Sequence, residues 1–228
     1  MVCADYSQIE LKLMAHMSGE EALIELFKKG GDIHLNTASE VFGIPPDKVT
    51  KDMRREAKAV NFGIIYGISD FGLAQDLNIP VYKAKKYIDT YFDTYKKVKK
   101  YMDESVRLAK ERGYSETLFG RRRTIPELKS SNYNVRQFGE RAAMNMPLQG
   151  TAADIIKVAM INVYKRFAKE GLKSRLILQV HDELIADTVP GETENVKNIL
   201  KEEMENAVSL SLPLTVDVDC GANWFEAK

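Results

Sequence analysis

The stretch LILQVHDELIADTV, residues 176–189, decides the fold of this chain. Two short apolar runs flank His181, Asp182 and Glu183, which is the pattern of a tight β-hairpin with acidic residues at its tip. A second apolar run, VCADYSQIEL, lies at the N-terminus and is interrupted by Asp5. If the two elements are neighbours in one sheet, Asp5 and Asp182 present carboxylates on a shared surface. Because Mg²⁺ prefers hard oxygen ligands, typically one or two carboxylates plus substrate phosphates, the pattern predicts a magnesium site there.

A second pattern lies between these two runs, in RREAKAVNFGIIYG, residues 54–67. Arg54, Lys58, Phe62 and Tyr66 recur every four residues. Four residues turn a helix by about 400°, so the side chains follow one stripe about 18 Å long. The stripe begins cationic and ends aromatic, which suits a nucleoside triphosphate with its phosphates against the cations and its base and sugar against the rings. The alternative is a solvated basic turn followed by core aromatics.

The segments DYSQIEL, RxxxKxxxFxxxYG and VHDE resemble, in order and rough spacing, the three polymerase motifs of the family A DNA polymerases, the bacterial DNA polymerase I type. TLFGRRR and NMPLQGTAAD are similar as well, so the resemblance covers almost the whole chain, from about Val2 to Lys228. It implies an α+β fold, with a small antiparallel palm sheet and a large helical fingers insertion. The palm is expected at residues 1–15 and 140–228, and the fingers at residues 16–139.

The resemblance implies a template-directed DNA polymerase of DNA replication and repair, which transfers nucleotides from dNTPs to a primer 3′-hydroxyl on a primer–template DNA with two Mg²⁺ ions. Asp5 and Asp182 are the implied catalytic metal ligands, and the backbone carbonyl of Tyr6 is an implied further ligand. Glu183 is either a peripheral ligand or simply a charge of the hairpin turn. For Asp5, the alternative is a strand-end carboxylate that caps the next helix.

Further roles are implied by the same resemblance. The implied nucleotide-binding residues are Arg54, Lys58, Phe62, Tyr66, His34 and Glu10. Glu10 is the implied gate against a ribose 2′-hydroxyl and is expected to hydrogen-bond Tyr66, with a solvent-facing helix glutamate as the alternative. The minor groove shows nearly the same acceptors for every base pair, so donors there can contact DNA without reading its sequence. The implied primer–template contacts are Arg141, Asn145, Gln149, Gln179 and His181, with polar side chains that merely hydrogen-bond the backbone as the alternative.

The remaining pattern is mostly helical from about residue 10 to residue 170. It predicts a helix over 51–66 closed by Gly67, two helices within 80–112 and a short hairpin within 113–126. Pro147 to Gly150 predicts an elbow between helices at 135–146 and 151–170. A helix at 192–208 and a final strand at 212–220 follow the acidic hairpin.

The chain has 33 Lys and Arg against 33 Asp and Glu, so its net charge gives no indication of nucleic acid. The basic residues cluster, however, in GRRR at 120–123 and KKVKK at 96–100, either of which could hold phosphates or form a solvated face. Cys3 and Cys220 are predicted to be reduced thiols buried in strands of a cytoplasmic protein. No membrane partner is expected, because no apolar run approaches the roughly 20 residues that span a bilayer.

In this family a thumb and part of the palm precede the first motif, whereas only four residues precede Asp5 here. Three interpretations are therefore open: an active polymerase, a catalytically silent remnant that binds nucleotide or DNA, and one piece of a larger polymerase. An uncovered palm surface or strand edge would invite pairing with another chain, which predicts self-association.

Overall fold

The structure, a computed structural model, describes residues 1–227. Its strands are β1 (Val2–Tyr6), β2 (Tyr114–Glu116), β3 (Arg122–Thr124), β4 (Arg175–Val180), β5 (Glu183–Asp187) and β6 (Val216–Cys220). Its α-helices are α1 (Ile9–Ser18), α2 (Glu21–Lys28), α3 (Ile33–Phe42), α4 (Lys51–Ile65), α5 (Asp70–Leu77), α6 (Val81–Thr94), α7 (Lys96–Arg112), α8 (Tyr133–Lys169) and α9 (Thr193–Glu205). The chain forms two compact units, one of residues 10–150 and one that combines residues 1–9 with those from 151 onward. The predicted α+β class is confirmed.

The unit that contains both termini is built on an antiparallel sheet with strand order β4-β5-β1-β6. The inner strands β1 and β5 are apolar apart from their acidic residues, and the side chains of Val2, Ala4 and Leu184 are completely buried. Helix α9 packs on β1 and β6 and buries the apolar side of its amphipathic sequence. Tyr6 crosses this core and donates its hydroxyl proton to the Met204 carbonyl at 2.7 Å.

The unit of residues 10–150 is helical apart from the β2–β3 hairpin. Helix α4 packs on α3, and it begins at Thr50, whose hydroxyl caps the helix by accepting from the Met53 amide. The helix ends as predicted at Gly67, which has a φ of +68°. The Gly67 amide bonds to the Ile64 carbonyl and the Ile68 amide to the Gly63 carbonyl, a Schellman-type ending.

The predicted elbow at residues 147–150 is wrong, because α8 continues through Pro147 from Tyr133 to Lys169. Proline removes one backbone donor, but helix packing overrides that local cost when the surrounding side chains are buried. Met146, Pro147 and Leu148 are all buried here. Gly150 permits close packing rather than a turn, since a Cβ there would lie 2.6 Å from Cγ2 of Thr117.

Two further differences concern single elements. Helix α5 was not predicted; Ser69 caps it through the Gly72 amide, and Asn78 ends it in a left-handed conformation. Both cysteines are free thiols, but only Cys3 is buried; the predicted burial of Cys220 is wrong because it stands on β6, the strand at the edge of the sheet. Among residues 1–227, no helix combines the length and the apolar character needed to cross a membrane.

Candidate active site

Acidic side chains form a row across three adjacent strands of the four-stranded sheet. In the strand register, Asp5 on β1 stands opposite Glu183 on β5 and opposite Asp217 on β6. Residues directly opposite each other project from the same face of a sheet, with Cβ atoms about 4.5–5.5 Å apart. Asp219 stands opposite Cys3 on that same face, two residues further along the strand. The sheet therefore gathers several carboxylates on one surface, and like charges in such pairs repel.

The tip of the β4–β5 hairpin places Asp182 beside this row. The loop has two residues, of which His181 has a φ of +53°, a value that non-glycine residues adopt rarely and that recurs at functional sites. The Tyr6 amide donates to the Asp182 carbonyl at 3.2 Å, which ties the loop to β1. Gln179 braces the loop from β4, because its side-chain amide donates to the His181 carbonyl at 2.6 Å.

The electrostatics of Asp5 reflect this crowding. Its pKa is raised to about 6, first by partial burial and then by the negative charges of Asp182 and Glu183, a hydrogen bond with Asp182 and the charge of Asp217. The two carboxyl groups of Asp5 and Asp182 line the same cavity and are close enough to affect each other's charge. An opposite charge placed between them would lower the pKa of Asp5 again, because it favours the ionised form.

The donor set fits a hard divalent cation with substrate oxygens as its other ligands. Among residues 1–227, no three His, Cys, Asp or Glu side chains converge closely enough to hold a metal by themselves. The Asp5–Asp182 pair supplies the one or two carboxylates that Mg²⁺ typically takes, the rest of its shell being water and phosphate. The side chain of Tyr6 is 2% exposed and points into the core, so only its backbone is available as a ligand.

Glu183 is held by a residue that the sequence analysis missed. Its side chain is buried, and both carboxylate oxygens accept from the indole N–H of Trp224, at 3.2 and 3.3 Å. Trp224 lies 41 residues further along the chain. The only signal in the sequence is that Trp224 is the single tryptophan, which does not reveal its partner.

The predicted stripe on α4 lies in the other unit. Arg54 donates through Nε to the Asp32 carboxylate at 2.6 Å. Lys58 is exposed and has no ion pair within residues 1–227, and Phe62 stacks on Tyr66 with ring centroids 6.4 Å apart. The Tyr66 hydroxyl donates to Glu10 at 2.5 Å, so the predicted hydrogen bond between these two residues is present. The stripe thus presents cations at one end and braced aromatic rings at the other.

His34 lies on α3 and belongs to a buried polar chain. Its Nδ1 is 3.0 Å from the side-chain amide nitrogen of Asn61, and the Asn61 carbonyl oxygen accepts from the Thr37 hydroxyl at 3.0 Å. The amide nitrogen can only donate, so Nδ1 accepts and the ring proton sits on Nε2. The pKa of His34 is lowered to about 4, mainly by burial; the charge of Asp32 opposes this shift, and the charges of Arg54 and Lys58 add to it.

The first three predicted DNA contacts occur at intervals of four residues on α8. Arg141, Asn145 and Gln149 line a cavity of about 220 Å³ together with Tyr66 and Arg123. The Asn145 amide donates weakly to the Tyr66 carbonyl at 3.5 Å, while its own side-chain oxygen is buried and has no hydrogen-bond partner among residues 1–227. A buried acceptor without a donor is costly, which favours a ligand that supplies one.

The other two predicted DNA contacts, Gln179 and His181, are exposed on the acidic hairpin of the other unit.

The two basic clusters differ in their partners. In 120–123, Arg122 pairs with Glu116 at 2.5 Å and stands over the ring of Tyr114, while Arg123 lines the α8 cavity. In 96–100, Lys97 pairs with Glu21, and Lys99 pairs with Asp103 at 2.5 Å, as is usual for a solvated helix face.

The family model of DNA polymerase family A matches residues 1–226. This chain belongs to that family. DNA polymerase I of Caldicellulosiruptor bescii is 53% identical over 228 residues, which are 100% of this chain and 27% of that protein. DNA polymerase I of Bacillus subtilis is 53% identical over 225 residues, which are 99% of this chain and 26% of that protein. This family A chain therefore spans about a quarter of the length of these curated relatives.

A solved structure of the same family matches the fold. The polymerase domain of Pol1 from M. smegmatis, in complex with DNA primer-template and dNTP, has a TM-score of 0.95 to this chain and is 48% identical in sequence. The match covers 99% of this family A chain and 40% of that one. The resemblance drawn from the three motifs is confirmed.

Proposed function

We propose that this chain carries out template-directed DNA synthesis, by nucleotidyl transfer from a dNTP to a primer 3′-hydroxyl with two Mg²⁺ ions. The observation that carries the proposal is that Asp5 and Asp182 line one cavity on the sheet face, in a chain of DNA polymerase family A. The solved relative was captured with primer-template and dNTP, which supports the same ligands here.

Asp5 and Asp182 would hold the divalent cations, together with the backbone carbonyl of Tyr6. When bound, such cations acidify a hydroxyl nucleophile and neutralise the charge of a pyrophosphate leaving group. The protein contribution is to keep two carboxylates close despite their repulsion, and the paired strands β1 and β5 do so. In this proposal Glu183 contributes its charge from the position that Trp224 fixes.

The stripe on α4 would bind the incoming nucleotide. Arg54 can exchange its contact with Asp32 for a forked contact with phosphate oxygens, and Lys58 supplies a point charge. His34 offers its Nε2 proton to the same phosphates as a neutral donor. Phe62 and Tyr66 would pack on the base and sugar.

Glu10, held by the Tyr66 hydroxyl, would exclude a ribose 2′-hydroxyl. The α8 residues Arg141, Asn145 and Gln149 supply donors suited to the minor groove, and we assign Gln179 and His181 to primer–template binding as well. We retain residues 1–15 and 140–228 as the palm, and 16–139 as the fingers.

Primer extension by the full chain with Mg²⁺ and four dNTPs tests the proposal. Asp182→Asn preserves the shape of the side chain but removes its charge, so it should abolish extension while leaving primer–template binding intact. Asp187→Asn is the matched control, because Asp187 is an exposed carboxylate at the far end of β5 and should leave extension unchanged.

A wild-type chain that binds primer–template but does not extend it would contradict the proposal and favour the silent remnant. Extension that survives Asp182→Asn would contradict the assignment of the site. The predicted self-association stays a prediction, and a monomeric mass by light scattering at high concentration would count against it.

A further inference from the structure

We propose that Trp224 is a positioning residue that fixes Glu183 beside Asp5, so that the segment Gly221–Ala227 helps to shape the cation site. The inference rests on the proposed function. It adds a role for a tryptophan that acts on the cation site through Glu183.

The contact between Trp224 and Glu183 has the geometry of a shared hydrogen bond. One indole N–H faces both carboxylate oxygens at nearly equal distances, 3.2 and 3.3 Å. Glu183 is 7% exposed, so little water is available to solvate its charge. Hydrogen bonds to a buried carboxylate are among the stronger ones in proteins, and the loss of a partner leaves the group poorly satisfied.

The segment that carries Trp224 is itself anchored. Its first residue, Gly221, exchanges two hydrogen bonds with Met1, at 2.8 and 3.1 Å. Within the segment, Asn223 and Glu226 bond to each other through their side chains at 2.8 Å. Trp224 and Ala227 then pack on Cys3 and Ile185, which lie on the acidic face of the sheet. The indole is therefore held both by the hydrogen bonds of its segment and by packing on the sheet, as a positioning group must be.

The position of Glu183 matters because of the strand register. Glu183 stands directly opposite Asp5, and the two carboxylates repel each other. The indole N–H gives Glu183 a fixed hydrogen-bond partner, which leaves Asp5 and Asp182 to face a cation together. Without this partner, Glu183 would lose one constraint on its position in the acidic row, and the geometry of the pair would be less well defined. Outer-shell partners of this kind typically contribute 10–100-fold to metal affinity.

Titration of the full chain with Mn²⁺, followed by the electron paramagnetic resonance signal of free Mn²⁺, tests the inference without relying on catalysis. Trp224→Phe keeps the aromatic ring and removes the N–H, and we expect it to weaken Mn²⁺ binding about 10-fold. Glu183→Gln and the double variant complete a mutant cycle. If Trp224 acts through Glu183, the effect of Trp224→Phe should fall below about twofold in the Glu183→Gln background.

Phe225→Leu is the control, because Phe225 is the neighbouring aromatic residue and is 91% exposed. Wild-type affinity in Trp224→Phe, or an equal loss with and without Glu183, would overturn the role of Trp224 alone. If wild-type chain does not bind Mn²⁺, or if Asp182→Asn does not alter binding, the cation site itself is overturned, and the inference with it.

A second measurement does not require any Trp224 variant to fold. Because Trp224 is the single tryptophan, its fluorescence reports on this contact. Mg²⁺ should produce a saturable change in wild-type emission that Glu183→Gln abolishes. An emission that Mg²⁺ leaves unchanged, or one that responds equally in Glu183→Gln, would overturn the inference.

Discussion

His34 shows how a single residue is prepared for an anionic ligand. The ring is 3% exposed, and the fully buried Asn61 fixes its Nδ1 as an acceptor. Nε2 therefore carries a proton whether or not the ring is charged. Burial makes the charged ring unfavourable, so at neutral pH His34 is a neutral donor in a fixed orientation, and the positive charge for binding phosphates is left to Arg54 and Lys58.

The burial of His34 predicts how the free energy of unfolding depends on pH. The folded pKa of His34, about 4, lies below its ordinary value of 6.5, so the unfolded chain binds the proton first as the pH falls. The stability that this lowered pKa gives the folded state is fully present above pH 6.5 and is lost towards pH 4. The loss reaches up to about 3 kcal/mol, at 1.36 kcal/mol per unit of pKa shift. Urea denaturation between pH 7.5 and 4.5 should show this slope in the wild type and a smaller one in His34→Gln.

His181→Asn is the control for that series, because His181 is exposed and its positive φ is one that Asn tolerates. It should retain the wild-type slope. An unchanged slope in His34→Gln would show that the burial of His34 is not its source.

Residue roles were predictable where they depend on local spacing. The intervals of four on α4 follow from helix geometry alone. The contacts of Arg54 with Asp32 and of Trp224 with Glu183 join residues 22 and 41 positions apart, and no local pattern encodes them. Such pairs depend on tertiary packing, which periodicity does not report.

At the scale of elements, the end of α4 determines where Tyr66 lies. Gly67 ends the helix with a φ of +68°, and a Cβ there would lie 2.6 Å from Cε of Met144 and 3.1 Å from Cγ of Arg141. The glycine thus meets two demands, a left-handed backbone and a close approach to α8. Gly43 ends α3 with a φ of +65°, but a Cβ there would have no atom within 4 Å.

The two glycines form a matched pair for mutation. Gly43→Ala should cost about 1 kcal/mol, the penalty for a Cβ in the left-handed region. Gly67→Ala should cost at least about 1 kcal/mol more, because Met144 or Arg141 must also move. Urea denaturation of both variants gives the two free energies of unfolding, and equal losses would show that the close approach to α8 carries no cost.

Helix ends were predictable where a helix-breaking residue coincided with the end of the helical periodicity, and not where the two disagreed. Gly67 ended a periodic helix and the prediction was right. Pro147 and Gly150 indicated an elbow, but the surrounding side chains are buried and α8 continues. Gly150 has a packing role against Thr117, which cannot be distinguished from a turn in the sequence alone.

At the scale of the whole molecule, equal numbers of acidic and basic residues conceal an uneven distribution. Carboxylates gather on one sheet face, around Asp5, where the charges of Asp182, Glu183 and Asp217 raise its pKa. A folded state that concentrates like charges is less stable than one that disperses them. The candidate site should therefore reduce the stability of the chain in the absence of a divalent cation.

Asp5→Asn tests this cost. The folded pKa of Asp5, about 6, lies above its ordinary value of 3.8, so its contribution to stability is fully present below pH 3.8 and is lost as the pH rises through 6. Because the side chain is only partly buried, screening by solvent reduces the effect to about 1 kcal/mol. With EDTA at pH 8, Asp5→Asn should be more stable than wild type by about that amount, and the gap should close towards pH 4.

With Mg²⁺, the wild type should instead be more stable than Asp5→Asn. A ligand that binds only the folded state stabilises it by about 2.7 kcal/mol at 100 times its dissociation constant, and Asp5→Asn removes one of the two carboxylates that would bind it. Urea denaturation with EDTA and with Mg²⁺ measures both effects, and Asp187→Asn should follow the wild type in each. If Asp5→Asn were less stable than wild type with EDTA, repulsion within the acidic row would not destabilise the folded state.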